Sequence, residues 1–246
     1  MAPIDNIYYI LALLLLLFLY LYYIISKIDK PKIKYIETVE SISPLLESGD
    51  VLLVSWYDDF SKKSGYNSHI IRNLFGDGHW SHVAMIVMIN GSPFVYDTFM
   101  HNPNWAEYDI TFNPKKDSGF LSLEKYIEGL NGYVAIRKLK NKYIKDRSVF
   151  LDIALVHNNI MSYTLDKLRI LGSYFNKKDI KSVDYKYSCV EAIAFIYTDA
   201  GIKHDKFHAG ITLTPFIEEE SDIFGDIIHI KPGSKCTELV SKYFNT

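Results

Sequence analysis

The sequence predicts an α+β domain behind a single N-terminal transmembrane helix, and three observations predict it. Residues 7–25 are apolar or Tyr without exception, 19 in a row. Beyond them the strand signals cluster, with a hairpin among them, ahead of the helical stretches, so strands and helices do not alternate as in a doubly wound fold. No G-x-G-x-x-G or G-x-x-x-x-G-K string marks a dinucleotide or NTP site. The 246 residues are 48% hydrophobic, with 13 glycines and 8 prolines, which excludes disorder and supports one domain or at most two. Lys and Arg number 27 against 29 Asp and Glu, a net charge of -2, too balanced for a protein that neutralises phosphates along a nucleic acid.

As a helix, residues 7–25 reach roughly 28 Å, the thickness of a bilayer core. A cleaved signal peptide would need a basic start and a small-residue cleavage site, and neither is present. Residues 1–6 contain Asp5 and no Lys or Arg, whereas Lys27, Lys30, Lys32 and Lys34 follow the span. The positive-inside bias therefore puts residues 27–246 on the cytoplasmic side, with the lipid bilayer as partner of residues 7–25. Tyr8, Tyr9, Tyr20, Tyr22 and Tyr23 gather at the two ends, as an interfacial aromatic belt would. Residues 27–44 carry Lys, Glu, Pro31 and Pro44 and read as a juxtamembrane spacer, and the folded domain then occupies 45–246.

Within that domain, the apolar run 51–54 after the turn pair Gly49-Asp50 is a buried strand, and 55–80 read mostly as loop. Stretches 83–89 and 94–99 flank Asn90-Gly91, the strongest short hairpin signal, with Pro93 able to lengthen the loop. Residues 121–130 read as a helix stopped by Asn131-Gly132, and 133–139 as a half-buried strand. Helical periodicity runs over 149–175 and again over 189–200, where Val190, Ile193, Ala194 and Tyr197 form one face and Gly201 stops it. Residues 227–230 are a late strand and 237–244 a last amphipathic turn or two.

The only two cysteines, Cys189 and Cys236, are 47 positions apart; they make neither a disulfide scaffold nor a zinc cluster and read as reduced thiols. Cys189 opens a predicted helix, where unpaired N–H groups and the positive dipole end favour a thiolate. Taken alone, it reads first as a buried structural cysteine, and only a partner shifts that reading. His82 opens the strand Val83-Ala84-Met85-Ile86, as a general base or as an edge residue, and Asp97 lies in the next strand, where a carboxylate needs a partner. Register arithmetic connects the two. A two-residue turn at Asn90-Gly91 puts Asp97 opposite Ala84 and diagonal to His82 on one face; a four-residue loop keeps that parity and a three-residue loop breaks it. A thiolate, a His base and an Asp that orients the His form the activated-nucleophile arrangement of acyl transfer.

The segments Leu46-Glu47-Ser48-Gly49-Asp50-Val51-Leu52-Leu53, His79-Trp80-Ser81-His82-Val83-Ala84-Met85-Ile86, Val95-Tyr96-Asp97 and Tyr187-Ser188-Cys189-Val190-Glu191-Ala192, followed by Ala200-Gly201-Ile202, resemble circularly permuted papain-fold enzymes of the NlpC-type superfamily, in particular the YiiX-like branch. More distantly they resemble lecithin:retinol acyltransferase-like enzymes. The resemblance implies an antiparallel sheet with segregated helices and a triad in the order His82, Asp97, Cys189. It also implies an acyl-enzyme on the way to hydrolysis or transfer at an amide, isopeptide, thioester or lipid-acyl bond, with no cofactor. Val190-Glu191-Ala192 departs from the usual Cys-Ser-Glu-Leu-Val form, to which Cys236-Thr237-Glu238-Leu239-Val240 is closer. Cys189 is still favoured, because its helix has room before Gly201, whereas Cys236 lies in a terminal stretch prone to fraying. A catalytically inactive, membrane-tethered binding or structural module of the same fold is the competing expectation.

Other candidates carry less. His79 and His82 fall on opposite faces of a strand, which argues against a two-His metal site. His69, His101, His157, His204, His208 and His229 lack ligand spacing. Trp80 and Trp105 are groove, core or surface aromatics, Glu191 reads as a solvated helix-face charge, and Tyr187 as a pocket wall beside the thiol.

Overall fold

The computed structural model describes residues 5–26, 36–56, 80–98, 118–130, 132–160, 162–163, 186–202, 207, 216 and 221–233. The expectations for residues 57–79, 164–175 and 237–244 lie outside them.

The N-terminal apolar run forms one helix, α1 (Asp5–Ser26), of 22 residues. Its described side chains, at 8–20 and 22–23, are exposed on every face, Leu13 at 69% and Leu17 at 52%. Among the described residues taken alone, no helix is long and apolar enough to cross a membrane.

The rest is α+β around an open, mixed seven-stranded sheet. Its strands are β1 (Ile36–Glu37), β2 (Val51–Trp56), β3 (His82–Ile89), β4 (Ser92–Asp97), β5 (Gly119–Ser122), β6 (Gly132–Leu139) and, last in the chain, Phe224–Ile230. A separate parallel pair, β7 (Ser162–Tyr163) and β8 (Lys186–Tyr187), lies between them, so the last strand is β9. The sheet order is β1-β9-β6-β2-β3-β4-β5. Every neighbouring pair is antiparallel except β1 and β9, which are parallel. The expected wholly antiparallel sheet is thus corrected to a mixed one. The added strand comes from the segment read as a spacer, where Ile36 pairs with His229; two residues are too few to show a period.

Among the described residues four α-helices follow in chain order: α2 (Val39–Ile42), α3 (Leu123–Gly129), α4 (Val149–Ile160) and α5 (Cys189–Asp199). They cover both faces of the sheet. Val51, Leu53, Val83 and Met85 pack with Phe150 and Ala154 of α4 and Ile193 and Tyr197 of α5. Leu52, Val54, Ala84 and Ile86 pack with Ile42 of α2 and Leu123, Tyr126 and Ile127 of α3. An uninterrupted Val-Leu-Leu-Val run is what a strand covered on both faces requires. Helices therefore lie against both faces of the sheet.

Two further boundaries differ from expectation. Leu121 and Ser122 are strand, paired with Val95 and Phe94, so the helix begins at Leu123; pairing with β4 overrides local helical spacing. The helix begun at Val149 ends at Ile160, and Ser162 and Tyr163 are already extended.

The start of β2 is tied down from several directions. Gly49 has φ +89° and donates its N–H to Ile86 O at 2.8 Å, and its carbonyl accepts from the Tyr197 hydroxyl of α5. Asp50, fully buried, accepts from Leu139 N at 3.0 Å, Glu47 N at 3.0 Å and Arg147 Nη1 at 3.1 Å. Burial raises its pKa against the pull of those partners. The Gly-Asp pair therefore staples α5, β6 and the Arg147 segment ahead of α4 to the end of β2 away from His82, which pairs with Val54.

Candidate active site

The hairpin sets the first half of the site. Asn90 (φ 52°) and Gly91 (φ 79°) both take left-handed backbone, as a two-residue type I′ turn requires. Ile89 accordingly pairs with Ser92 and Met85 with Tyr96. Pro93 fits within β4 because β5 reaches back only to Phe94, so the missing N–H falls where no neighbour strand needs it. One step past Tyr96, Asp97 lies diagonal to His82, and His82 Nε2 meets Asp97 Oδ1 at 2.7 Å. Both side chains are buried.

Cys189 supplies the second half. It is the first residue of α5, buried, and its helix packs on β3. A reciprocal cap fixes that helix start: Glu191 N donates to Ser188 Oγ at 3.4 Å, and Glu191 Oε2 accepts from Ser188 N at 2.8 Å and from Ser188 Oγ at 3.0 Å. The other end closes where Gly201 (φ 85°) turns left-handed and Ile202 N donates to Tyr197 O at 2.9 Å, a Schellman stop. Glu191 is thus buried cap machinery, correcting its reading as a solvated charge. The Ser-x-x-Glu spacing is a capping-box signature and was the available signal. Replacing Ser188 by alanine is expected to lower stability by about 1 kcal/mol, read as a lower urea midpoint at unchanged slope. An unchanged midpoint would show that the cap carries no stability.

His82 hydrogen bonds to Cys189 as well as to Asp97. With Nε2 committed to Asp97, Nδ1 is the ring nitrogen left for the thiol. Burial alone would pull the His82 pKa down, and it is the largest single influence. The charges of Asp97 and Cys189, with the hydrogen bonds to both, outweigh it and push the pKa up to about 10. The imidazolium is therefore the favoured form, facing a carboxylate on one side and the sulfur on the other.

A residue not singled out from the sequence completes the row. Tyr126 of α3 donates its hydroxyl to Asp97 Oδ2 at 2.6 Å. Burial, then the Asp97 charge, hold its phenol well above the ordinary tyrosine range, so it stays a donor. Tyr126, Asp97, His82 and Cys189 run in sequence across one end of the sheet, from the α3 layer to the α5 layer. The signal available was a tyrosine at the apolar spacing Leu123, Tyr126, Ile127, Leu130, whose buried hydroxyl needs a partner.

The other candidates separate from this row. Trp80 is buried and stacks on His229 with centroids 5.9 Å apart, a core aromatic. His157 of α4 pairs with Asp199 of α5 at 2.7 Å, and Tyr187 is buried edge-on against Phe195. Cys236, His69, His79, His101, His204, His208 and Trp105 lie outside the described residues. Among the described residues no group of three or more His, Cys, Asp or Glu could hold a metal ion.

Over part of its length the chain is similar to the crystal structure of metalloprotein yiiX from Escherichia coli O157:H7, DUF1105. The identity is 16% and the TM-score 0.40, covering 63% of this chain and 66% of that one. No protein-family model matches the chain, and none of the curated proteins does.

Proposed function

We propose that the chain is a membrane-anchored cysteine hydrolase or acyltransferase of permuted papain-like design, acting on an amide, isopeptide, thioester or lipid-acyl bond. The observation that carries this reading is the buried His82, bonded to Asp97 at 2.7 Å and to Cys189 at the first turn of α5. In the proposed reaction the Cys189 sulfur attacks the carbonyl carbon, and the oxyanion forms near the Cys189 N–H, one of the helix-start donors without an intrahelical partner. His82 gives its Nδ1 proton to the leaving group as the carbonyl–leaving-group bond breaks. Water or another acceptor then loses a proton to His82, attacks the thioester and frees Cys189. Asp97 keeps the ring oriented throughout.

The anchor half of the proposal rests on α1, a continuous 22-residue helix with outward-facing leucines, followed by four lysines within eight positions. Anchoring places the site beside a membrane and favours substrates held at or in it. The domain is assigned to the cytoplasmic side by the same lysines.

Two experiments test the proposal. In a panel of amide, thioester and acyl-lipid substrates, Cys189→Ala is expected to abolish turnover and Asp97→Asn to leave a residue of it, because an orienting group contributes less than a nucleophile. Full activity in Cys189→Ala against a confirmed substrate would replace the enzyme reading with the binding-module one. Protease added to sealed vesicles that carry the chain with its domain outward should digest residues 27–246 and spare the N-terminal helix, whereas a protein recovered wholly in the aqueous fraction would remove the anchor.

A further inference from the structure

Asp97 is gripped at both oxygens, by His82 Nε2 at 2.7 Å on Oδ1 and by Tyr126 Oη at 2.6 Å on Oδ2. The second contact is not needed to hold α3 in place, since Leu123, Ile127 and Leu130 already bury that helix against the sheet. It does something a single bond cannot. The carboxylate torsion is broad and roughly two-fold, so one bond to a histidine leaves the plane free to swing. A bond on the other oxygen fixes it. At 2.6 Å the Tyr126 contact falls in the short range typical of an O–H donor on a carboxylate.

We propose that Tyr126 is a positioning residue for the Cys189–His82 pair, acting through Asp97: its hydroxyl locks the carboxylate in the plane that faces the imidazole. The inference rests on the reading of Cys189 as nucleophile and deepens it. Tyr126 lies on the opposite core layer from Cys189, so its influence on the thiol passes along the row. Without its hydroxyl the carboxylate turns away from Nε2, the imidazolium loses a fixed counter-charge, and the thiolate–imidazolium pair forms only at higher pH. A tyrosine that merely satisfied its own hydroxyl in the core would alter stability and leave the pH behaviour of the thiol where it was.

The test is alkylation by iodoacetamide on the full-length chain across a pH series, with Cys189 and Cys236 followed separately as peptides by mass spectrometry. Tyr126→Phe, which keeps the ring and its packing, is expected to move the midpoint of Cys189 alkylation up by about one pH unit and to leave the Cys236 profile in place. In an Asp97→Asn background the same substitution should add nothing further, because the two act as one unit. Should Tyr126→Phe fail to fold, a tyrosine fluorinated beside its hydroxyl at position 126 carries the test; as a stronger donor of nearly the same shape it should move the midpoint down. The proposal is overturned if alkylation depends on His82 yet its midpoint ignores Tyr126, or if Tyr126→Phe shifts it equally with Asn at position 97. Alkylation of Cys189 that does not depend on His82 brings down the nucleophile reading itself, and the two failures are told apart by that single variant.

Discussion

Replacing His82 by alanine is expected to slow acyl transfer from an activated ester to Cys189 by roughly 10²- to 10⁴-fold, the range removed with a general acid–base. The size follows from what His82 does in the row. Its ring bonds to Asp97 and interacts with the Cys189 sulfur, so on the proposed reading its loss removes the proton carrier and the countercharge together. The pH dependence carries a sign that can be checked. His82 stands above its ordinary 6.5, at about 10, so the imidazolium persists through neutrality and is lost as pH rises through about 10. A group raised in this way gives its full contribution to stability below 6.5, and that contribution disappears by about pH 10. Asp97→Asn removes the largest influence raising that pKa, so the alkaline limb of the acylation profile should move down. An alkaline limb unmoved in Asp97→Asn would show that Asp97 is not what holds the proton on His82.

Gly49→Ala carries the largest expected effect on stability, about 2–5 kcal/mol. Two costs add. At φ +89° any side chain is strained, by roughly 1–2 kcal/mol for an L residue in left-handed backbone. The new Cβ would also stand 2.2 Å from Phe150 Cε2 and 2.7 Å from Cδ2 and Cζ, an overlap that a packed core relieves only by displacing the ring, at about 1–3 kcal/mol. Phe150 is fully buried and packs edge-on against Tyr197 of α5, the helix that carries Cys189, so the damage reaches the seat of that thiol. Gly91→Ala is the control: it sits at φ +79° with nothing within 4 Å of its Cβ, and it should show the backbone cost alone. Equal urea midpoints for the two variants would mean that the Phe150 contact is not close-packed.

What was legible in the sequence was what local chemistry determines. Asn90-Gly91 specifies a two-residue turn, and the turn dictates the register that brings Asp97 to His82. Ser188, Cys189 and Gly201 mark a helix from cap to stop, so the thiol could be set at a helix start. The turn brings Asp97 to His82, whereas Cys189 reaches them only through the packing of α5 on β3. What was not legible depends on partners distant in the chain. Ile36 and Glu37 are strand only because β9 lies beside them, and Leu121 and Ser122 only because β4 does. Glu191 looks like a surface charge until α5 is seated on the sheet and buries it. Tyr126 looks like one more apolar residue of α3 until its hydroxyl is found on Asp97, 29 positions away.

The central claim is that Cys189, driven by His82, carries the acyl group. Its most direct test is to expose the full-length chain to an activated acetyl ester near neutral pH and locate the acetyl group by mass spectrometry of the peptides. The account predicts a thioester on the peptide containing Cys189, decaying with time in the wild type and absent from Cys189→Ala, with the Cys236 peptide unmodified on the same timescale. Acetylation of Cys236 first, or of Cys189 at the same rate in His82→Ala, would contradict it.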